Sequence, residues 1–409
     1  MTRFHSSQAL FILALVLFSC SPQKTKVSKE PQKTSVEEVK PSKVSYDFST
    51  TNPNEIEDGS LEFILEVGES GRYRVSVYSS NSDSAVLWLE DYIRNTDDRT
   101  YNITGSLVPD SNGTASVDGS PLATGMHQMR LNVSGKIKLD SITFVLMQKQ
   151  TETQEFLTQK MEGEDWELVW SDEFDGEGLP DENKWSYNVG NWGWGNNEPQ
   201  YYTDARVENV RQEGGKLIIE ARKNDEGMDW SSARLTTQGK TSFTYGKIEF
   251  RAKVPEGRGT WAAGWLLGDA YRDEVSWPYC GEIDVLECVG YEINDTTGSG
   301  LNHATCHTRK YYFKQGNQIG SEIAIDSMNT KFHTYAIEWY PDGIHGYLDG
   351  VKYYTYDKTA DELEWPFNNP QNIILNLAVG GGWGGAKGID ENYDSHQFVL
   401  DYVRVYGKK

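Results

Sequence analysis

Three acidic residues in one six-residue stretch, Glu282, Asp284 and Glu287, have the types and spacing for acid–base and nucleophilic chemistry. In an extended strand, side chains alternate between two faces, so Glu282 and Asp284 point one way and Glu287 points the other way. One extra residue at Val285 or Leu286, accommodated as a β-bulge, would return Glu287 to the face of the other two. The sequence therefore predicts a bulged strand that presents three carboxylates on one surface.

Such a cluster suits the hydrolysis of a glycosidic bond. Burying three unpaired acids costs on the order of several kcal/mol, so a purely structural purpose is hard to find. Hydrolysis with retention needs one ionised carboxylate that attacks the anomeric carbon and one carboxylic acid that protonates the leaving oxygen, roughly 5 Å apart. Crowding separates the pKa values of the pair, so both forms can coexist near neutral pH. A solvated acidic strand edge is the alternative interpretation.

The segments that position these acids are predicted to be β-strands. From Trp166 onward, runs of β-branched and aromatic residues alternate with glycine turns, and no long amphipathic helix interrupts them. Several motifs resemble glycoside hydrolase family sixteen, most closely its laminarinase branch, the endo-1,3-β-glucanases: WELVWSDEF (166–174), WGWGNNE (192–198), GTWAAGWLLG (259–268), WPYCGEIDVLECVGYE (277–292) and NLAVGGGWGG (376–385).

The resemblance implies an all-β fold, a concanavalin-like β-jelly roll of two stacked antiparallel sheets with a cleft on the concave one. It extends from about Trp166 to Tyr406. It implies that Glu282 is the nucleophile, Glu287 the acid/base and Asp284 an assisting acid. No cofactor is implied for catalysis.

The same motifs contain candidate sugar-binding residues. Aromatic rings stack on the apolar face of a sugar, and amides and acids hydrogen-bond to its hydroxyls. In the laminarinase branch, the GWGNNE segment borders the glycone side of the cleft, where the sugar with the attacked carbon lies; a structural turn is the alternative. The predicted substrate-binding residues are Trp192, Trp194, Asn196, Asn197, Glu198, Arg234, Trp261, Trp265, Trp277 and His307.

A metal site and a disulfide are further expectations. Many relatives carry a structural Ca²⁺ on the convex side, and the resemblance implies Glu173, the carbonyl of Gly215 and Asp401 as its ligands, since calcium prefers hard oxygen donors. By alternation, Cys288 and Cys306 point between the sheets. A disulfide between them or buried free thiols are both compatible with the sequence.

The N-terminal residues predict export and anchoring. Residues 1–20 read as a signal peptide, and Leu17-Phe18-Ser19-Cys20 resembles a bacterial lipobox, which implies cleavage before Cys20 and its lipidation. A plain signal peptide is the alternative. Residues 21–45 have the composition of a disordered linker. The predicted location is the bacterial cell envelope, at the outer membrane or cell surface, with membrane contact only through the lipid.

Residues 46–148 predict a smaller β-sandwich domain, because short alternating strands are separated by turn signals. The domain resembles family-six-type carbohydrate-binding modules; a plain spacer is the alternative. Trp88 and Tyr92 are candidates for sugar stacking or for the core. Residues 149–164 read as a second linker, and residues 165–409 as the jelly-roll domain.

The charged-residue composition limits the kinds of molecule that the protein can bind. The 409 residues contain 39 Lys and Arg against 61 Asp and Glu, a net charge of −22, which excludes the basic surface that nucleic-acid binding needs. We expect a monomeric retaining endo-glycosidase that cuts internal 1,3-β-D-glucosidic linkages of laminarin-like β-glucans. The alternatives are a same-family hydrolase of mixed-linkage glucan or algal galactan, and a non-catalytic β-glucan-binding protein.

Overall fold

The computed structural model describes residues 42–50, 54–93, 100–158 and 165–408. Their regular structure consists of β-strands and three short 3₁₀ helices, Phe48–Thr50, Gly290–Glu292 and Phe313–Gln315, so the all-β prediction is confirmed. No helix within these ranges has the length and apolarity needed to cross a membrane. The predicted signal peptide, Cys20 and nearly all of the 21–45 linker lie outside the described residues.

The N-terminal domain is built on two long strands that pair with each other. Its strands are Lys43–Asp47 (β1), Glu55–Val67 (β2), Gly71–Tyr92 (β3), Thr100–Asn102 (β4), Thr114–Leu122 (β5) and Gly125–Lys149 (β6). The β3–β6 register shifts several times between Tyr78 and Val86. On one side of these shifts, β5 and β1 flank the pair; on the other side, β4 and β2 do. The two halves share one apolar core.

Alternation along β3 decides where Trp88 and Tyr92 lie. Leu87 and Leu89 are fully buried in the core, whereas Trp88 and Tyr92 are half-buried on the outward face. Core packing is therefore the wrong interpretation for both rings. Sugar stacking by them stays a prediction.

The jelly-roll domain contains two sheets. Its strands are Glu155–Thr158 (β7), Trp166–Asp172 (β8), Ser186–Tyr187 (β9), Tyr201–Tyr202 (β10), Val210–Gln212 (β11), Leu217–Asp225 (β12), Met228–Ser232 (β13), Arg234–Thr236 (β14), Thr241–Thr244 (β15), Gly246–Lys253 (β16), Thr260–Gly268 (β17), Glu282–Val289 (β18), Gly300–His307 (β19), Ile319–Ile325 (β20), His333–Tyr340 (β21), Gly343–Leu348 (β22), Val351–Asp357 (β23), Gln371–Val379 (β24) and Ser395–Lys408 (β25).

One sheet, here called the cleft sheet, has the order β20-β19-β18-β17-β24-β14-β9, with β15 and β7 attached beside β24. The other, the outer sheet, has the order β10-β13-β12-β25-β16-β21-β22-β23, with β11 and β8 attached. Apolar residues from both sheets form a continuous core between them. The acid-bearing β18 lies inside the cleft sheet, so neighbouring strands hold it on both sides.

Residues 149–158 differ from the predicted linker 149–164, whose last six residues lie outside the described part of the chain. Glu155–Thr158 pairs in parallel with Thr241–Thr244 at the cleft sheet, and Lys149 is still part of β6. Side chains of the N-terminal domain also pack directly on the jelly roll, and both belong to one compact unit. Glu155–Thr158 therefore adds a strand to the jelly-roll domain.

Candidate active site

The register of β18 produces the predicted bulge. Against β17, the pairing steps from Leu286 to Asp284 and leaves Val285 without a partner. Val285 and Leu286 both point into the core, while Asp284 and Glu287 on either side of them line the cleft. Because two consecutive residues point inward, Glu282, Asp284 and Glu287 share one face.

A buried amide on β19 supports the bulge. Asn302 Oδ1 accepts a hydrogen bond from the backbone N–H of Glu287 at 3.1 Å, and its Nδ2 donates to the Val285 carbonyl at 3.0 Å. The side chain is fully buried. Backbone groups left unpaired in the interior cost about 1–3 kcal/mol each, so this amide stabilises the bulge and fixes Glu287.

Each glutamate accepts a hydrogen bond from an indole. Trp277 Nε1 donates to Glu282 Oε2 at 2.8 Å, and Trp261 Nε1 donates to Glu287 Oε1 at 3.1 Å. One oxygen of each carboxyl is thereby held in place. Oε1 of Glu282 and Oε2 of Glu287 are left for chemistry in a cleft of about 730 Å³, measured with its open mouth, which all three acids line.

Burial raises the pKa of all three acids. It raises the pKa of Glu282 to about 8, with a further contribution from the charge of Glu287 and an opposing one from the Trp277 hydrogen bond. It raises the pKa of Glu287 to about 7. The pKa of Asp284 lies well above its usual range, because this side chain is buried next to both glutamates. The cluster therefore holds protons at neutral pH, and Asp284 adds no charge beside the nucleophile.

Which of the two glutamates is ionised depends on the substrate as well as on burial. Burial raises the pKa of both glutamates in the free cleft, whereas a nucleophile must be the ionised member of the pair. A glycosidic oxygen beside Glu287 accepts a hydrogen bond from its protonated form, which raises the pKa of Glu287. Substrate binding thus favours the ionised state of Glu282.

His307 lies where the sequence predicts, beside the acids. Its Nε2 is 3.4 Å from Asp284 Oδ2 and 3.9 Å from Glu282 Oε1. Burial lowers the pKa of His307 to about 4, so the ring is neutral at neutral pH. It therefore lies next to Asp284 and Glu282 without adding a positive charge.

The floor of the cleft is aromatic. Trp261 and Trp265 project from the same face of β17 and line the cavity. The Arg234 guanidinium lies 4.8 Å from the ring centroid of Trp265 and 4.9 Å from that of Trp194. Trp265 Nε1 donates to Asn376 Oδ1 at 2.8 Å. Stacking and hydrogen bonds thus fix the groups that would meet a sugar.

Comparison with known proteins agrees with this geometry. The profile of glycosyl hydrolases family 16 matches residues 197–404, which include the three acids. The chain belongs to glycosyl hydrolases family 16. A beta-glucanase from Rhodothermus marinus is 50% identical over 249 residues, which cover 59% of this chain and 85% of the relative.

A second relative and a solved structure support the same family assignment. A glucan endo-1,3-beta-glucosidase from Cryptopygus antarcticus is 35% identical over 258 residues, which cover 59% of this chain and 92% of the relative. The X-ray structure of the laminarinase from Rhodothermus marinus has a TM-score of 0.55 at 50% identity and covers 59% of this chain and 98% of that one. The family and the jelly-roll fold predicted from sequence are confirmed. The matched profile begins at residue 197, so the carbohydrate-binding resemblance of the N-terminal domain stays a prediction.

The GWGNNE segment lines the family 16 cleft. Trp192, Trp194, Asn196 and Glu198 all face the cavity, and Asn197 borders the cavity near Glu287. Asn196 donates a 3.0 Å hydrogen bond to Glu198. Trp192 and Trp194 are only 2% and 6% exposed because they also pack with the core of the N-terminal domain. Sugar binding by this segment stays a prediction.

Several cleft residues were missed by sequence reasoning. They are Tyr271, Glu274, Phe313, Lys314, Asn376 and Trp383. Tyr271 donates to Glu274 Oε1 at 3.1 Å, and Glu274 Oε2 lies 4.0 Å from Lys314 Nζ. Most of these residues lie in loops between strands, and no spacing along the chain connects them. Asn376 and Trp383 both stood in the recognised motif 376–385 but were not singled out.

The groups predicted to bind calcium are paired with arginine and lysine side chains. Arg404 donates two hydrogen bonds to Glu173, at 3.0 and 2.8 Å, and holds the pKa of Glu173 below its usual range. Lys216 Nζ lies 2.8 Å from Asp401 Oδ1 and donates to the Gly215 carbonyl at 2.9 Å.

The Lys216 ammonium therefore contacts two of the three predicted ligand oxygens. Calcium needs six to eight oxygen ligands, and both carboxylates here already have cationic partners. The residues as placed do not fit a bound Ca²⁺, in contrast to the expectation from the sequence. The three described cysteines, Cys280, Cys288 and Cys306, are free and buried, so the disulfide alternative is wrong.

We expect Glu282→Gln to stabilise the protein at pH 8 but not at pH 4. Glu282 has a folded-state pKa raised to about 8 from 4.5, so the stability that this group contributes is fully present below the unfolded pKa and is lost as pH rises through the folded one. Glutamine carries no charge and still accepts from Trp277. Urea unfolding should show a gain of about 1–3 kcal/mol at pH 8.

Glu338→Gln is the matched control, because Glu338 lies on the outer sheet and accepts from Tyr340 and Tyr347. It should show no such pH-dependent gain. Equal stability of Glu282→Gln and the native protein at pH 8 would contradict the burial argument.

We expect calcium to leave thermal stability unchanged, because the Lys216 ammonium already neutralises Asp401. The melting temperature in excess EDTA should match that in calcium to within about 1 °C. Lys216→Met leaves Asp401 paired with Arg251 and Glu173 paired with Arg404, so its melting temperature should be equally insensitive to calcium. A rise of several degrees with calcium in the native protein would show that the ion displaces the lysine.

Proposed function

We propose that this family 16 glycoside hydrolase cuts internal 1,3-β-glucosidic linkages of laminarin-like glucans with retention at the anomeric carbon. The observation that carries the proposal is the bulged β18, which presents Glu282, Asp284 and Glu287 to one cleft. The relatives named a glucan endo-1,3-beta-glucosidase and a laminarinase support the substrate class.

In the first step, a carboxylate oxygen of Glu282 attacks the anomeric carbon while the bond to the leaving oxygen breaks. Glu287 transfers its proton to that oxygen, and a covalent glycosyl-enzyme forms. Trp261 Nε1 donates to Oε1 of Glu287, so the transferred proton is carried on Oε2. Trp277 Nε1 donates to Oε2 of Glu282, so Oε1 attacks.

In the second step, the ionised Glu287 removes a proton from water as the water oxygen bonds to the anomeric carbon. Glu282 leaves as a carboxylate, and two inversions give net retention. The protonated Asp284, whose pKa is well raised by burial, adds no repulsion to the returning carboxylate. Both glutamates are then ready for the next cycle.

The aromatic floor supports a polysaccharide substrate. Trp261 and Trp265 line the cleft, and Trp383 meets Trp261 edge to face, with 5.5 Å between ring centroids. Consecutive rings suit consecutive sugar units, while Arg234 and Asn376 offer polar contacts to hydroxyls.

We also propose that the protein acts as a monomer in the bacterial envelope, with Cys20 lipidated. The lipobox-like Leu17-Phe18-Ser19-Cys20 supports this location. We expect Cys20→Ser to move the protein from the detergent phase to the aqueous phase when cells are extracted with Triton X-114. An unchanged partition would contradict lipidation.

We expect Glu282→Gln and Glu287→Gln each to lower kcat on laminarin by about 10³-fold or more, because nucleophile and acid are then lost. Laminarin binding, followed by isothermal calorimetry, should survive. Glu338→Gln on the outer sheet is the control and should retain full activity.

Reducing-sugar release from laminarin, lichenan, agarose and carrageenan identifies the polymer, and proton NMR of the first product gives its anomeric configuration. An α-product, or more than a few per cent of native activity in either variant, would contradict the assigned roles.

A further inference from the structure

The loop between β17 and β18, residues 269–281, carries a side chain that contacts the nucleophile. Its Trp277 Nε1 donates to Glu282 Oε2 at 2.8 Å. None of the residues in this loop belongs to a strand or a helix, so no backbone ladder holds the loop in place. Its position therefore depends on the surfaces that pack against it.

One of these surfaces is the N-terminal domain. Ile93 and Tyr101 of that domain share an apolar cluster with Tyr271, Val275 and Trp277 of the loop. The rings of Tyr101 and Trp277 meet edge to face, with 6.3 Å between their centroids. Apolar packing of this kind does not change with protonation, so it holds the loop equally well at any pH near neutral.

A buried polar cluster lies in the same interface and does depend on protonation. It consists of Asp91 on β3, His127 on β6 and Asp273 in the loop, which are 1%, 3% and 3% exposed. This set is here called the interface cluster. Asp273 Oδ2 accepts a hydrogen bond from the Ala123 backbone N–H at 3.3 Å, and its Oδ1 accepts from that of Ser276 at 2.9 Å. Asp273 thus ties the loop to the turn between β5 and β6.

Both ring nitrogens of His127 face oxygen atoms. Nδ1 lies 2.7 Å from Asp91 Oδ2, and Nε2 lies 2.8 Å from the Ala123 carbonyl oxygen. A carbonyl oxygen only accepts, so Nε2 carries a hydrogen, and the short contact from Nδ1 to Oδ2 needs a second proton between its two atoms. The pair of His127 and Asp91 therefore holds one proton more than a neutral imidazole beside a carboxylate.

The surroundings of the ring favour that extra proton. Burial by itself lowers the pKa of His127, but the hydrogen bond and charge of Asp91, the Ala123 carbonyl and the charge of Asp273 outweigh burial and raise the pKa of His127. Among the described residues, Asp91 and Asp273 are the charged groups that act on the ring, and its partner across β2, Leu65, is apolar. The folded protein thus binds this proton more tightly than the unfolded chain does.

We propose that the interface cluster is a pH-sensitive lock, in which one shared proton keeps the N-terminal domain attached to the loop that carries Trp277. When the proton is lost, a nitrogen lone pair faces the Asp91 carboxylate, and the positive charge between Asp91 and Asp273 disappears. The loop then opens more often from the N-terminal domain. This inference concerns the attachment of the two domains and does not rest on the proposed substrate.

The pH range of the lock follows from the direction of the pKa shift. A histidine whose pKa is raised on folding contributes stability that is fully present below the unfolded value of about 6.5 and is lost as pH rises through the folded value. Between these two values, opening of the loop releases one proton. The equilibrium constant for opening should therefore rise by up to about tenfold per pH unit in that range.

The test is hydrogen–deuterium exchange of the peptide that spans residues 269–281, followed by mass spectrometry in the full chain carrying Glu282→Gln. This background is used because Glu282 contacts Trp277 and its own titration would add to the signal. After correction for the intrinsic exchange rate, protection of the peptide should fall by up to about tenfold per pH unit above about pH 6.5. Protection that stays constant from about pH 6 to about pH 9 would overturn the inference.

His127→Gln in the same background removes the titrating ring and should abolish most of this pH dependence. His333→Gln is the matched control, because His333 on the outer sheet makes the same two kinds of contact: its Nδ1 lies 2.7 Å from Asp349 Oδ2 and its Nε2 lies 3.0 Å from the Asp326 carbonyl oxygen. The control should keep the pH dependence of its parent. The same dependence in His127→Gln would contradict the role of the interface cluster.

Asp273→Asn provides a second variant, which keeps the shape of the side chain and decides the question if His127→Gln does not fold. It removes the negative charge of the loop, so the shared proton is stabilised by fewer opposite charges. Protection of the 269–281 peptide should then fall at a lower pH than in the parent. A fall at the parent's pH would show that Asp273 is not part of the lock.

Discussion

The bulge at Val285 is the constraint on which the active site depends. A regular strand would place Glu287 in the core between the sheets, where its charge has no partner, and would leave the cleft with one glutamate. One unpaired residue turns Glu287 to the side of Glu282 and Asp284. The buried Asn302 satisfies the backbone groups of Glu287 and Val285, so the irregular pairing leaves neither group unbonded.

The acid cluster costs stability, and its surroundings limit that cost. Burial opposes ionisation of all three carboxyls, and this is why a proton remains available for the leaving sugar near neutral pH. Indole N–H groups hold one oxygen of each glutamate, which orients the side chains without adding a charge that would fix either as permanently ionised. His307, which is neutral at neutral pH, lies 3.4 Å from Asp284 and likewise adds no charge to the cluster.

Local spacing was enough to predict β18, its bulge and the aromatic face of β17, because strand alternation is a property of a few neighbouring residues. The family resemblance supplied the jelly roll. Other features depend on residues far apart in the chain. Lys216 reaches Asp401, Arg72 reaches Trp194, and Thr241–Thr244 pairs with Glu155–Thr158. No spacing along the chain predicts these contacts, which explain the cationic partner of Asp401, the packing of Trp194 and the strand formed within the predicted linker.

The mechanism depends on which residue bonds to the sugar, and β18 presents Glu282 to the cleft for that bond. The most direct measurement is peptide mass spectrometry after inactivation with a 2-deoxy-2-fluoro-β-laminaribiosyl fluoride, which slows hydrolysis of the covalent intermediate. We expect one glycosyl adduct per chain, on Glu282. An adduct on Glu287, on Asp284 or on a residue outside the cleft would contradict this assignment.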